Sequence, residues 1–306
     1  MALFDFFLED RLFEIREALI QKTYTHGPYT SFYVTDPKLR FINKAEVVDR
    51  VVHQAVFRIL YHIFDRGFIS QSFSCRFKKG SHKGVEVLEK YIRKVTSNYT
   101  VPAYALKCDI KKFFASVNKD ILLQIIQRKI NDPDTLWLLQ TIIDSFQSKS
   151  TTGIPLGNVT SQLFANIYLN ELDQYIKRTL KLRYYLRYCD DFIILHTDKD
   201  YLLSLVTTIN EFLQLILNVE LHPNKITVTK INQGIDFLGY VVLPHYRIVR
   251  RNTKNRILRK YEKRTKEYQK GKIDKQSLYQ SLQSYLGILK HAKAQGIQNK
   301  LLDKDL

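Results

Sequence analysis

The sequence has 306 residues, of which 45% are hydrophobic, and a formal charge of +18 from 48 Lys and Arg against 30 Asp and Glu. This length permits a substantial core and more than one domain, and the hydrophobic fraction excludes a disordered chain. A folded protein with this charge is expected to bind a polyanion.

The cysteines and the apolar segments bear on the cellular setting. Cys75, Cys108 and Cys189 lie far apart and have no paired spacing. This pattern argues against a disulfide framework or a zinc site and is typical of a reducing compartment. No stretch approaches ~20 apolar residues, and residues 1–12 are too acidic for a signal peptide. We therefore expect a cytoplasmic protein with no membrane contact.

The first part of the chain is predicted to be mostly helical. Helical periodicity covers 3–22 and returns at 47–64, where apolar residues follow the spacing of one helix face. Between these helices, 29–34 and 39–42 predict a short hairpin around Asp36-Pro37. A basic loop at 75–84 then precedes a helix at 85–95.

The middle of the chain alternates strands and helices. A buried strand is predicted at 104–109, and Asn118 and Thr160 are the expected N-caps of two helices. The remaining predicted elements, in order, are helix 119–130, helix 134–146, a Gly/Pro turn at 153–157, helix 161–180, a hairpin at 183–197, helix 200–219, and strands 226–229 and 235–243.

Composition changes near residue 250. The last 56 residues contain 15 Lys and Arg against 5 Asp and Glu, a net charge of +10. Their helical pattern predicts a small, separate, basic helical subdomain.

Three carboxylates carry the strongest chemical signal. Asp190 and Asp191 are adjacent in Tyr188-Cys189-Asp190-Asp191, at the tip of the predicted hairpin, and Asp109 ends the strand at 104–109. Like charges this close resist burial unless a cation compensates them. Three carboxylates on two strand ends are what a two-metal phosphoryl-transfer site requires. The alternative for the pair is an ordinary Asp-Asp turn.

An ordered series of motifs resembles the reverse transcriptases over nearly the whole chain. The series is Arg40, Val47-Val48-Asp49-Arg50-Val51-Val52, Cys75-Arg76 with Lys79-Gly80-Ser81-His82, Asp109-Ile110-Lys111-Lys112-Phe113-Phe114, Gly153-Ile154-Pro155-Leu156-Gly157-Asn158-Val159-Thr160-Ser161-Gln162, Tyr188-Cys189-Asp190-Asp191, Lys225, and Phe237-Leu238-Gly239-Tyr240. The resemblance implies an α+β right-hand polymerase. Its fingers would span 1–100, a palm with a small antiparallel sheet and inserted fingers helices 101–245, and a basic helical thumb 246–306.

The resemblance also implies RNA-directed DNA polymerase activity and a set of metal ligands. Asp109, Asp190 and Asp191, with the backbone carbonyl of Ile110, would hold two Mg²⁺ ions, or Mn²⁺ in their place. Asp109 and Asp190 are expected to bind metal more directly than Asp191. The partners would be template RNA, the primer or cDNA, and dNTPs.

Further residues take nucleotide-binding roles by the same resemblance. Phe114 would exclude a ribose 2′-hydroxyl, with its neighbour Phe113 in the core. The other implied dNTP-binding residues are Lys44, Arg50, Arg76, Leu156 and Lys225, and Lys225 would also act as a general acid for pyrophosphate. Lys44 could instead be a solvated surface lysine, and Arg50 could instead pair with Asp49 or Glu46. Those implied for the primer–template are Lys78, Lys79, His82, Gly157, Gln162 and Tyr188.

Leu156-Gly157 and Ser161-Gln162 depart from the Gln-Gly and Ser-Pro of group II intron and retroviral-type enzymes. The departure resembles the enzymes of diversity-generating retroelements, which copy an RNA with errors concentrated at template adenines and work with a small basic accessory oligomer. Alternatives are a retron-like, group II-like or phage-defence reverse transcriptase. An inactive nucleic-acid-binding protein and an RNA-templated RNA polymerase are less favoured, because the three Asp residues are intact and Phe114 is present.

Overall fold

The computed structural model describes residues 6–36, 38–147 and 150–303. In chain order its regular elements are α1 (Leu8–Ile20), β1 (Thr30–Val34), β2 (Arg40–Lys44), α2 (Val47–Asp65), α3 (Ser81–Val95), β3 (Tyr104–Asp109), α4 (Phe113–Ser116), α5 (Lys119–Gln127), α6 (Pro133–Asp144), α7 (Val159–Gln174), β4 (Tyr185–Tyr188), β5 (Asp191–His196), α8 (Lys199–Leu217), β6 (Thr227–Lys230), β7 (Ile235–Phe237), β8 (Tyr240–Val242), β9 (Arg247–Val249), α9 (Arg251–Gln269), α10 (Lys275–Leu289) and α11 (Gln295–Leu302).

The chain divides into two compact units. The first unit comprises Met1–Phe77, Cys108–Phe192 and Ser204–Ile226. The second unit comprises Lys78–Lys107, Ile193–Leu203 and Thr227–Leu306.

The core of the first unit is built around α7. This helix is buried on almost every side, with Leu163, Phe164 and Tyr168 among its buried residues. A helix that packs against neighbours on all sides has no solvent-facing polar side, and so it lacks the amphipathic pattern of a surface helix. Helices α2 and α5 pack against α7, and α6 packs against α5. The first unit also contains the antiparallel hairpin β1–β2, with Thr30 opposite Lys44.

The second unit contains antiparallel strands and the C-terminal helices. Strand β3 pairs with β6, with Tyr104 opposite Lys230, and β7, β8 and β9 form an antiparallel meander. Helices α9, α10 and α11 pack on one another around Tyr261, Leu282 and Leu289.

Several predicted boundaries need correction. Helix α7 begins at Val159, so its N-cap is Asn158 and not Thr160. The Thr160 hydroxyl is engaged elsewhere, 2.6 Å from His53 Nδ1. The predicted strand 235–243 is two strands, because Leu238 and Gly239 adopt positive φ angles and turn the chain.

The structure also bears on the predicted N-cap at Asn118, on the basic loop and on the predicted hairpin. The Asn118 cap is confirmed, because its Oδ1 accepts a hydrogen bond from the Ile121 amide at 3.0 Å. Helix α3 starts at Ser81 and so shortens the predicted basic loop. Pro37, at the tip of the predicted hairpin, lies outside the described residues. Within the described ranges, no helix is long and apolar enough to cross a membrane.

Candidate active site

The ends of β3 and the β4–β5 hairpin bring two of the predicted carboxylates together in the first unit. Asp109 is the last residue of β3, and its carbonyl accepts a hydrogen bond from the His222 amide at 2.8 Å. The next amide, of Ile110, donates to the Asp190 carbonyl at 3.3 Å. Backbone bonds therefore place the segments that carry Asp109 and Asp190 side by side. Asp191 follows as the first residue of β5.

Asp109 and Asp190 influence each other electrostatically. Burial, and next the charge of Asp109, raise the pKa of Asp190 above its usual range. The Lys225 ammonium lies 2.7 Å from Asp109 Oδ1 and partly offsets this repulsion. Lys225, which the sequence assigned to the departing pyrophosphate, therefore contacts a carboxylate of the candidate site.

The donor chemistry of the site fits Mg²⁺. Across residues 6–36, 38–147 and 150–303, no group of three His, Cys, Asp or Glu side chains forms a ready-made cage for a metal ion. Mg²⁺ is usually held by one or two carboxylates, with water and substrate phosphates completing its coordination. Asp109 and Asp190, on neighbouring strand ends, supply two carboxylates of this kind.

The three predicted fingers cations have different environments. Lys44 is exposed at the end of β2. Arg76 is almost fully buried, and its Nε donates to Asp65 Oδ1 at 2.6 Å while its Nη1 donates to the Ile69 and Ser72 carbonyls. A nucleotide-binding role for Arg76 stays a prediction, and in this structure its contacts organise the loop after α2.

Arg50 has an unusual environment on α2. Its Nε is buried and has no hydrogen-bond partner among the described residues. The neighbouring Asp49 carboxylate, one of the two alternative partners of Arg50, accepts instead from the Tyr24 hydroxyl at 2.7 Å and from the Gly27 amide. A buried donor without a partner is costly, so Arg50 is a reasonable residue to receive an acceptor from a ligand.

The segment around Leu156 is fixed to β2. The Asn43 amide donates to the Leu156 carbonyl at 2.9 Å, and Asn158 Nδ2 donates to the Asn43 carbonyl at 3.2 Å. Gly157 has a φ of +127°, and a Cβ there would lie 2.8 Å from Ile42 Cγ2. Only glycine fits this close approach without movement of its neighbours.

Phe113 and Phe114, the aromatic pair after β3, differ in burial. Phe113 is buried in the core, as the sequence predicts. Phe114 is half-buried, and its carbonyl accepts from the Ile154 amide at 2.8 Å. This bond ties the predicted gate to the turn that leads to Leu156. Of the predicted primer–template residues in this unit, Gln162 is exposed and Tyr188 is half-buried.

The other predicted primer–template residues, Lys78, Lys79 and His82, lie in the second unit. The His82 ring stacks on His291 with centroids 3.7 Å apart, and its Nε2 lies 3.2 Å from the Tyr240 hydroxyl. Burial, and next the nearby His291, lower the pKa of His82. In this structure His82 therefore joins α3 to β8 and to the loop after α10.

Sequence reasoning missed the residues that support the hairpin from behind. Arg187, three residues before the predicted metal ligand Asp190, is fully buried against Asp173 of α7. A lone Arg in a strand normally predicts an exposed position. Its only signal in the sequence is its place beside large apolar residues, Leu186 and Tyr188, in a short strand.

Carboxylates at neighbouring strand ends fit a two-metal phosphoryl-transfer enzyme, the class that includes the template-directed polymerases. Residues 34–242, about two thirds of the chain, match the family model of the reverse transcriptase (RNA-dependent DNA polymerase). The chain belongs to this family.

Curated relatives are distant. The chain is 24% identical over 267 residues to protein YkfC of Escherichia coli strain K12, across 74% of this chain and 69% of that protein. It is 25% identical over 189 residues to the group II intron-encoded protein LtrA of Lactococcus lactis, across 59% of this chain and 30% of LtrA.

Solved structures confirm the α+β right-hand polymerase fold. The apo telomerase of Candida tropicalis matches 90% of this chain with a TM-score of 0.59 and 12% identity. The telomerase of Candida albicans, in complex with a fragment of telomeric RNA, matches 82% with a TM-score of 0.52 and 12% identity. The matches cover 56% and 54% of those two telomerase chains.

Proposed function

We propose that this chain is an RNA-directed DNA polymerase that extends a primer along an RNA template. The observation that carries the proposal is the approach of Asp109 and Asp190 at two strand ends, with Lys225 2.7 Å from an Asp109 oxygen. Membership of the reverse transcriptase family supports the same reaction.

The chain's own residues would divide the work of nucleotidyl transfer. Asp109 and Asp190, with Asp191 and the Ile110 carbonyl, would hold two Mg²⁺ ions. When bound, such ions assist attack by the primer 3′-hydroxyl and stabilise charge on the leaving pyrophosphate. Lys225 is half-exposed beside Asp109 and would donate its proton toward the pyrophosphate. Most of the rate enhancement would come from this positioning and from fixed charge.

Nucleotide selection would fall to residues of the same unit as these carboxylates. Arg50, with its unpaired Nε, and Lys44 would contact the triphosphate, and Arg76 would organise the loop after α2. Phe114 would exclude a 2′-hydroxyl, which favours dNTPs by steric clash.

We propose further that the enzyme belongs to the diversity-generating type. Leu156 is half-buried, and its backbone carbonyl accepts a hydrogen bond from the Asn43 amide. Leucine cannot form the hydrogen bond that glutamine could offer to an incoming sugar. Selection that depends on a polar contact falls steeply when that contact is absent. The identity shared with LtrA favours a second candidate, a group II-like enzyme with another RNA.

The proposed partners are a template RNA and a small basic accessory oligomer. Helix α1 supports the protein partner, because in a chain of charge +18 it carries Glu9, Asp10, Glu14 and Glu17 against two Arg residues. The same region exposes Phe6, Phe7 and Phe13. An acidic surface with exposed aromatic residues fits a basic protein better than it fits nucleic acid.

Primer extension on a mixed-sequence RNA template, with Mg²⁺ and dNTPs and with sequencing of the cDNA, tests the proposal. The matched control is the Asp109→Asn, Asp190→Asn double variant. We expect product only from the wild-type chain, with errors concentrated at template adenines. Faithful product would support the polymerase and overturn the diversity-generating assignment. Equal extension by the double variant would contradict the role of the carboxylates.

A further inference from the structure

A fully buried ion pair lies directly behind the hairpin that carries Asp190. The side chains of Arg187 and Asp173 both have 0% exposure. Arg187 Nε donates to Asp173 Oδ1 at 2.8 Å, and Nη2 donates to Oδ2 at 2.6 Å. This is the bidentate geometry that only arginine offers to a carboxylate.

The remaining donors of the guanidinium reach three separate segments. Nη1 donates to the Cys189 carbonyl at 2.9 Å and to Asn166 Oδ1 of α7 at 3.3 Å. Nη2 also donates to the Ser72 hydroxyl at 3.2 Å. One side chain therefore joins helix α7, the loop after α2 and the tip of the hairpin.

The backbone of Arg187 is fixed as firmly as its side chain. Its amide donates to the Gln71 carbonyl at 2.9 Å, and its carbonyl accepts from the Phe73 amide at 3.0 Å. The guanidinium is therefore anchored at both ends and can act as a rigid support for whatever it contacts.

The contact with the Cys189 carbonyl matters because of the backbone conformation there. Cys189 has a φ of +56°, in the left-handed region that a non-glycine residue adopts only when its surroundings hold it. The Cys189 carbonyl belongs to the peptide group that joins Cys189 to Asp190. Arg187 thus holds the peptide from which the Asp190 side chain projects, and the Ile110 amide holds the following carbonyl.

We propose that Arg187, clamped by Asp173, is a positioning residue that fixes the Cys189–Asp190 peptide and so the direction of the Asp190 carboxylate. The proposal rests on the polymerase function proposed above. A buried ion pair commonly adds little stability compared with apolar residues of the same volume. Its presence behind the candidate site is explained by the fixed direction that it gives to the Asp190 carboxylate.

The first test is Arg187→Lys, which keeps the charge beside Asp173 but loses the planar fork. The matched control is Arg128→Lys, because Arg128 pairs with Glu171 of the same helix α7 at an exposed position. For each variant the readouts are melting temperature, affinity for primer–template, kcat with KM for dNTP, and the rate at which a thiol reagent alkylates Cys189. Peptide mass spectrometry separates Cys189 from the exposed Cys75.

We expect Arg187→Lys to lower kcat by about tenfold to a hundredfold, as a small displacement of a reacting group does. The dNTP KM and primer–template affinity should stay within about twofold. Cys189 alkylation should accelerate by about tenfold, because a turn that Arg187 no longer holds opens more often. Arg128→Lys should change none of these. A folded Arg187→Lys protein with wild-type kcat and wild-type Cys189 alkylation would overturn the proposal.

The alkylation rates test the role of Arg187 even if the wild-type chain is inactive or Arg187→Lys does not fold. If wild-type chain extends no primer, the proposed function fails, and the alkylation rates still decide whether Arg187 holds the turn. If Arg187→Lys does not fold, the uncharged pair Asp173→Asn with Arg187→Met replaces it, because the asparagine oxygen can still accept from the Tyr185 hydroxyl. The same readouts then apply, with faster alkylation expected and wild-type alkylation contradicting the proposal.

Discussion

Replacement of Gly157 by alanine tests how tightly the Leu156 segment is held against β2. Gly157 has a φ of +127°, which costs an alanine about 1–3 kcal/mol of backbone strain. The new Cβ would also lie 2.8 Å from Ile42 Cγ2 and 3.2 Å from the Asn43 carbonyl oxygen. Neither can yield easily, because Ile42 is β-branched and the other atom belongs to the backbone.

Gly80 is a matched control for this change. Its φ of +112° imposes similar strain, but a Cβ there would meet nothing within 4 Å. We expect Gly80→Ala to cost about 1–3 kcal/mol from strain alone. Gly157→Ala should cost about 1–3 kcal/mol more, because it adds overpacking.

Scanning calorimetry measures both effects, since each kcal/mol shifts the melting temperature by roughly 2–4 °C. Gly157→Ala should also raise the dNTP KM in primer extension, because movement of this segment displaces Leu156. Equal loss of stability in the two variants would refute the reasoning from close approach.

The remaining predictions concern charge, selection, capping and pH. In the absence of divalent ions, Asp190→Asn should raise the melting temperature, by roughly 2–4 °C for each kcal/mol of added stability. Burial and Asp109 raise the pKa of Asp190, so its ionisation at neutral pH opposes folding. A lower melting temperature would contradict this. Phe114→Ala should increase ribonucleotide incorporation by about tenfold or more in primer extension, and unchanged selectivity would end the gate assignment. Asp132→Ala removes the cap of α6 and should cost about 1 kcal/mol in urea unfolding, with no loss counting against the cap. Burial and His26 lower the pKa of His53 to about 4 from 6.5. The unfolded chain therefore takes up the proton first, and unfolding free energy should fall by at most roughly 3 kcal/mol as pH drops through that window. His53→Gln should flatten the pH dependence, and an unchanged slope would contradict the role of His53.

The parts of the fold and site that the sequence predicted are those that depend on local pattern. Asn118 caps its helix through a residue three positions on, which spacing alone indicates. Strand β3 ends at Asp109 as its apolar run predicts. The fold class followed from the order of motifs along the chain, and it is confirmed by the family and by the matched structures.

What the sequence could not predict depends on distant partners. Thr160 was predicted as an N-cap because threonine is a common capping residue before a helical pattern. Its hydroxyl instead lies within hydrogen-bond distance of His53, which is far away in sequence. Arg187 is buried because Asp173 supplies a carboxylate and Ser72 a hydroxyl, and neither is visible from the strand that contains it. Such burial follows from tertiary packing and overrides the usual preference of arginine for solvent.

Single-nucleotide incorporation into a primer on RNA, measured by rapid quench, tests most directly that the neighbouring carboxylates carry out the chemistry. The comparison is wild type, Asp109→Asn, and Asp120→Asn as an exposed control carboxylate of the same unit. We predict that Asp109→Asn lowers the rate by at least about 10²-fold while the fold and primer–template affinity are retained. Asp120→Asn should match wild type. A folded Asp109→Asn protein that incorporates nucleotides at the wild-type rate would contradict the account.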